Sequence, residues 1–74
     1  MNEACIQGNK AETSGSITEI TLWDGGQKTY RTPVIEVEEG DMFRWGYRWF
    51  EIVRNGVAVR RVELSECELV EEES

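Results

Sequence analysis

The chain of 74 residues contains no histidine, and this limits the chemistry it could perform. Histidine is the side chain that most often moves protons near neutral pH, so acid–base work would fall to carboxylates. Ser65-Glu66-Cys67 is where hydroxyl, carboxylate and thiol meet in sequence. The surrounding glutamates push the thiol pKa up and so disfavour the thiolate, the nucleophilic form. Cys5 and Cys67, with no histidine and no Cys-x-x-Cys pair, make no structural zinc set. The expectation is a protein that is not an enzyme and holds no cofactor and no metal.

Binding chemistry is better represented. Met42-Phe43-Arg44-Trp45-Gly46-Tyr47-Arg48-Trp49-Phe50 interleaves aromatic rings with guanidinium groups. Aromatics in a tiny β domain usually form its core, and Phe43 and Phe50 are expected there. A pleated strand points successive residues to opposite faces, so not every ring can go inside. With Phe50 and Ile52 inward, Trp49 points out. Trp45 and Tyr47 flank a glycine where a turn is expected, so at least one of them is partly exposed. Arg44, Arg48 and Arg60 would stand near these rings.

Such a surface suits two kinds of partner. Trp, Tyr and Arg dominate protein interfaces, since each joins large buried area to a directed polar group. The same residues build platforms for single-stranded nucleic acid. Charge favours a protein partner. The net charge is −7, but residues 16–64 hold eight acids against seven bases, and Glu66 to Ser74 hold five glutamates and no base. The folded part is therefore near neutral, where a nucleic-acid binder usually shows a positive excess. A duller alternative leaves Trp49 covering the outer surface against the N-terminal segment. A further reading makes the acidity functional: an acidic phage-type inhibitor or DNA mimic that offers Glu36, Glu38, Glu39, Asp41 and the C-terminal glutamates to a basic partner.

The elements that must position these residues read as β throughout. Ile17 to Trp23 is a strand rich in β-branched residues, with Ile20 and Leu22 on one face. Asp24-Gly25-Gly26-Gln27 is a turn. Lys28 to Glu38 follows with Ile35 and Val37 inward, and Pro33 requires an edge or a bulge there. Glu39-Gly40-Asp41 turns the chain, and a second tight turn is expected at Trp45 to Tyr47. Arg48 to Arg54 and Val57 to Leu64 form a hairpin around Asn55-Gly56, a type I′ signal. Simple pairing sets Glu51 opposite Arg60 and places Phe50, Ile52, Val57 and Val59 on the core face. Val62 and Leu64 then need a bulge at Arg60-Arg61 to return inward. A short strand from Cys67 to Val70 closes the set.

The succession of strand, Gly-Asp turn, strand, Asn-Gly hairpin, bent strand and closing strand resembles an SH3-like barrel. The resemblance spans Ile17 to Val70, concerns the fold alone and implies no function. The expected class is all-β: a small five-stranded SH3-like barrel or curled antiparallel sheet. Residues 1–16 form a flexible N-terminal lead, 17–70 the single β domain and 71–74 an acidic tail.

No run reaches the roughly 20 apolar residues needed to cross a bilayer. The first sixteen residues lack the basic and apolar regions of a signal peptide. A cytoplasmic protein with reduced thiols and no membrane association is expected, as a monomer or a weak homodimer through an edge near Pro33. The functional expectation is a protein–protein interaction module that binds through Trp45, Tyr47 and Trp49, with Arg44, Arg48 and Arg60 orienting the partner. Single-stranded nucleic acid is the less favoured partner.

Overall fold

The computed structural model describes residues 3–23 and 25–73. Eight strands run in chain order: β1 (Ile6–Gln7), β2 (Lys10–Ala11), β3 (Gly15–Trp23), β4 (Gln27–Val37), β5 (Met42–Gly46), β6 (Trp49–Arg54), β7 (Val57–Glu63) and β8 (Glu68–Glu73). One 3-10 turn, Leu64–Glu66, joins the last two. The strands form a five-stranded sheet of order β1-β2-β5-β6-β7 and a three-stranded sheet of order β3-β4-β8. All neighbours in both sheets are antiparallel.

The all-β class is as expected, but the barrel is not closed. β7 ends one sheet and β8 the other, because β8 pairs with β4 and leaves β7 without an outer neighbour. The core lies between the sheets. Phe43, Phe50, Ile52 and Val62 come from the larger sheet, Ile17, Ile35 and Val37 from the smaller, and Ala11 from β2. Phe50 is fully enclosed.

Turn chemistry explains where the strands stop. Asn55 and Gly56 both take positive φ, 52° and 80°, as a type I′ turn requires. Gly40 takes φ 92° between β4 and β5. The β3–β4 connection includes Gly25 at φ 69°, while Asp24, expected to open that turn, lies outside the described residues. The β3–β4 register slips between Ile17 and Glu19, so Thr32 to Val34 fall outside the regular ladder. Pro33, which has no N–H to donate, sits in that irregularity.

Three expectations are corrected. Residues 3–16, read as a lead, carry β1 and β2 and enclose Ala11 completely. Ala11 N–H donates to the Asp41 carbonyl and Gly40 N–H to the Ala11 carbonyl, both at 2.8 Å. Two-residue strands give no hydrophobic period, which hides them. Gly8-Asn9 was the available signal: Gln7 pairs with Lys10, and Gly8 takes φ 62° at the first turn position.

The acidic tail is also more ordered than its composition suggests. Glu71 to Glu73 belong to β8, opposite Thr29, Lys28 and Gln27. Lys28 meets Glu72 at 3.6 Å and Arg31 meets Glu68 at 2.7 Å. Opposite charges facing across a ladder favour pairing that a run of glutamates alone would oppose.

The β6–β7 hairpin has its bulge earlier than expected. Val53 faces Ala58 and Ile52 faces Arg60, so Val59 is the extra residue. Glu51 therefore faces Arg61, not Arg60, and Val62 reaches the core opposite Phe50. Val57 and Val59 are exposed, not core. Val59 is exposed as the extra residue of the bulge, and Val57 is exposed at the turn end, where its partner is Arg54 rather than a core residue. Arg54 Nε and Nη2 donate to Asp41 Oδ1 and Oδ2 at 2.9 and 2.8 Å.

Candidate functional site

Strand parity separates the six residues proposed for binding. Phe43, Trp45, Phe50 and Ile52 share the inner face of β5 and β6, because Trp45 pairs with Phe50 and Phe43 with Ile52. Trp45 rests on Phe50 with ring centroids 5.0 Å apart and keeps 38% of its surface exposed. Arg44 and Trp49 lie on the outer face. They cannot form one platform with Trp45.

The outer face is occupied by internal contacts. Arg44 Nε donates to Glu51 Oε1 at 3.0 Å, and Glu51 also faces Arg61 on the next strand. The Arg61 guanidinium lies 4.1 Å from the centre of the Trp49 ring, a cation–π contact. Beneath that ring is Gly46, paired with Trp49; a Cβ on Gly46 would fall inside the indole. Trp49 is half-buried and clasps three strands.

Gly46→Ala should therefore displace the Trp49 ring and destabilise the protein by about 2 kcal/mol. Urea unfolding of Gly46→Ala, Trp49→Ala and the double variant measures this. The two losses should add up to more than the loss in the double variant, since the clash needs both side chains.

Tyr47 and Arg48 form the two-residue turn between Gly46 and Trp49, one position later than the sequence suggested. Tyr47 is 87% exposed. Arg48 takes φ 63°, a conformation that glycine or asparagine adopts far more readily. Its carbonyl accepts a hydrogen bond from Leu64 N–H at 2.8 Å, which ties the turn to the chain leaving β7. Arg60 stands apart from all of these, exposed on β7 opposite Ile52.

A groove of about 970 Å³ opens where the two sheets splay. Phe43, Trp45, Tyr47 and Arg48 line one wall, and Ile20, Leu22, Trp23, Lys28 and Tyr30 the other. Ile6, Gly8 and Leu64 also line it. The groove lies between residues of both sheets. Trp23 is 76% exposed at the end of β3, so three large aromatic side chains reach solvent around one concavity.

Charge at the groove is asymmetric. Glu19, Lys28 and Arg48 line it, but Lys28 is held by Glu72. Among the described residues Arg48 forms no ion pair, which leaves its guanidinium available. The sequence pointed to Trp45, Tyr47 and Arg48 and missed Trp23, Tyr30 and Leu22. Their signal was an aromatic on each side of the β3–β4 turn, Trp23 at the end of β3 and Tyr30 in β4 opposite Ile20.

Arg48→Gly should relieve the turn and raise stability by about 0.5–1 kcal/mol, the left-handed penalty less glycine's greater freedom when unfolded. The thermal midpoint measures it; Arg48→Ala, which keeps the penalty, should show no gain.

Cys5 and Cys67 are both free, and burial, then the Glu66 charge, pushes the Cys67 thiol up. Among the described residues no three of Cys, Asp and Glu are placed to hold a metal ion. No helix there is long and apolar enough to cross a membrane. Comparison with protein-family models, with curated proteins and with solved structures finds no match.

Proposed function

We propose that this protein is a non-enzymatic interaction module of the cytoplasm that binds an extended protein segment in the groove between its sheets. Trp45, Tyr47 and Trp23 take apolar side chains of the partner, and Arg48 takes a carboxylate. The observation that carries this reading is the convergence on one concavity of three exposed aromatic residues and of Arg48, which has no ion pair among the described residues. Isolated exposed apolar residues are ordinary, whereas several large aromatics gathered around one concavity are a mark of binding. Its volume falls in the range of ligand and peptide clefts. The Arg48 backbone supports the same reading, since a strained residue persists best where its side chain is used.

Of the residues first considered, Trp45, Tyr47 and Arg48 keep their binding role in this proposal. Arg44 and Trp49 hold the wall from behind, and Arg60 lies outside the groove. The SH3-like resemblance rests on the succession of strands and turns in the sequence, and the proposal does not depend on it.

Selection from a displayed library of random peptides tests the proposal. Enriched peptides should carry apolar residues with an acidic one, and should lose at least tenfold in affinity against Trp45→Ala and Arg48→Gly. No enrichment, or binding indifferent to both variants, would overturn it. Fluorescence anisotropy with single-stranded DNA separates the nucleic-acid reading, which requires a salt-sensitive affinity. One observation favours the acidic-inhibitor reading: Glu71 and Glu73 have no ion pair among the described residues, and they stand on an ordered edge strand. Glu68 and Glu72 are partly neutralised by β4, which makes this reading second.

A further inference from the structure

The larger sheet is bounded by β1 and β7 and the smaller by β3 and β8, and the β7 and β8 edges carry opposite charge. β7 is the last strand of the larger sheet. Val57, Ala58, Val59, Arg60 and Arg61 on it are all exposed. Arg61 is engaged with Trp49 and Glu63, but Arg60 has no ion pair among the described residues. β8 is the last strand of the smaller sheet, and all six of its residues are exposed, Leu69 and Val70 among them. Glu68 and Glu72 are satisfied by β4, while Glu71 and Glu73 are not.

A free edge presents unpaired N–H and C=O groups to any strand that fits. Like charges set opposite each other on neighbouring strands are unfavourable, and opposite charges are favourable. A β7 edge meeting the β7 edge of another copy would bring Arg60 and Arg61 towards the same pair. Two β8 edges would bring glutamates together. The mixed pairing is the one that both edges accept, because it places Arg60 among Glu71 and Glu73 and covers exposed valines and leucine on both sides.

We infer that the β7 edge of one copy receives the β8 edge of a second copy, as an antiparallel continuation of the sheet. The two surfaces differ, so the contact is heterologous and propagates head to tail, as a ring if the rotation closes and an open chain if it does not. The contact is small and held by one strand, so it belongs to the weak, concentration-dependent class. It leaves the groove uncovered and does not rest on what the groove binds.

Sedimentation equilibrium tests this on the full chain, with Arg60→Glu and Glu71→Arg/Glu73→Arg as separate variants. The wild type should rise above its monomer mass of 8.5 kDa as concentration goes from about 10 µM to about 1 mM, the range of weak contacts. Each variant alone should remain monomeric, because its edges then carry like charge. An equimolar mixture should associate again, because each reversed edge finds its complement in the other variant. Hydrogen exchange on the wild type gives a measure that needs no variant: amides of β7 and β8 should slow with concentration, and those of β5 should not. A wild type that stays monomeric at about 1 mM, variants that associate like the wild type, or a mixture that fails to recover would each overturn the inference.

Discussion

Asp41→Ala should cost about 3 kcal/mol, at the lower end of the range for breaking a buried ion pair. Asp41 is 1% exposed, at the turn from β4 into β5. It accepts from Arg54 through both oxygens and from Glu38 N–H at 2.9 Å. The adjoining backbone carries β2 through the Ala11 and Gly40 bonds, so this one carboxylate joins the two sheets. Arg54 retains 31% of its side-chain surface and a second partner, Glu38, at 2.8 Å, so its orphaned charge can turn to water. That holds the loss near the lower end. A domain of this size has a total stability of about 4–11 kcal/mol, so the variant loses a large share. Its thermal midpoint should fall by roughly 15 °C.

The same carboxylate gives a pH dependence of definite sign. The Arg54 hydrogen bonds hold Asp41 below its ordinary range against the opposing effect of burial, and the Glu38 N–H adds to them. In the unfolded chain the group binds a proton near pH 4, whereas in the folded protein it does so only at lower pH. Its stabilising contribution is therefore complete above about pH 4 and is lost as pH falls through the lowered value. Chemical denaturation from pH 6 to pH 2 should show a steeper decline in the wild type than in Asp41→Asn. Parallel curves would contradict this role.

Phe50→Ala should be the most damaging single apolar change, about 4 kcal/mol. Phe50 is fully enclosed, faces Val62 on one side and Trp45 on the other, and lies 6.4 Å from Phe43 between ring centroids. Its removal leaves a cavity that Val62 cannot fill and withdraws the support beneath Trp45. The variant should be largely unfolded at 37 °C by circular dichroism. Phe50→Leu should keep the fold and cost roughly 1–2 kcal/mol, as a smaller change of core volume does.

Alternation and turn chemistry carried the core. Phe43, Phe50, Ile52, Ile35, Val37 and Val62 follow from period-two patterns and from the Asn55-Gly56 turn, and the structure buries all six. The position of the β7 bulge did not follow, because moving it by one residue leaves the sequence pattern equally plausible. β2 was invisible for a different reason: a two-residue strand shows no period, and one buried alanine bonded to the Gly40-Asp41 turn marks its place.

The candidate site was legible by halves. Parity required some of Trp45, Tyr47 and Trp49 to face away from the core, and that geometry is present. Which faces they share depends on the strand pairing. Trp49 went to the outer face with Arg44 and Arg61, while Trp45 and Tyr47 went to the groove. The opposite wall, Trp23 and Tyr30, arises from the angle between two sheets, which lies beyond any single strand's pattern.

The three indole N–H groups report separately by NMR, and they test the groove most directly. With 15N-labelled protein titrated with a library-selected peptide, the signals of Trp23 and Trp45 should move together to saturation, while Trp49 stays in place. Movement of Trp49 alone, with Trp23 and Trp45 unchanged at saturation, would put the binding surface on the outer face and contradict the account.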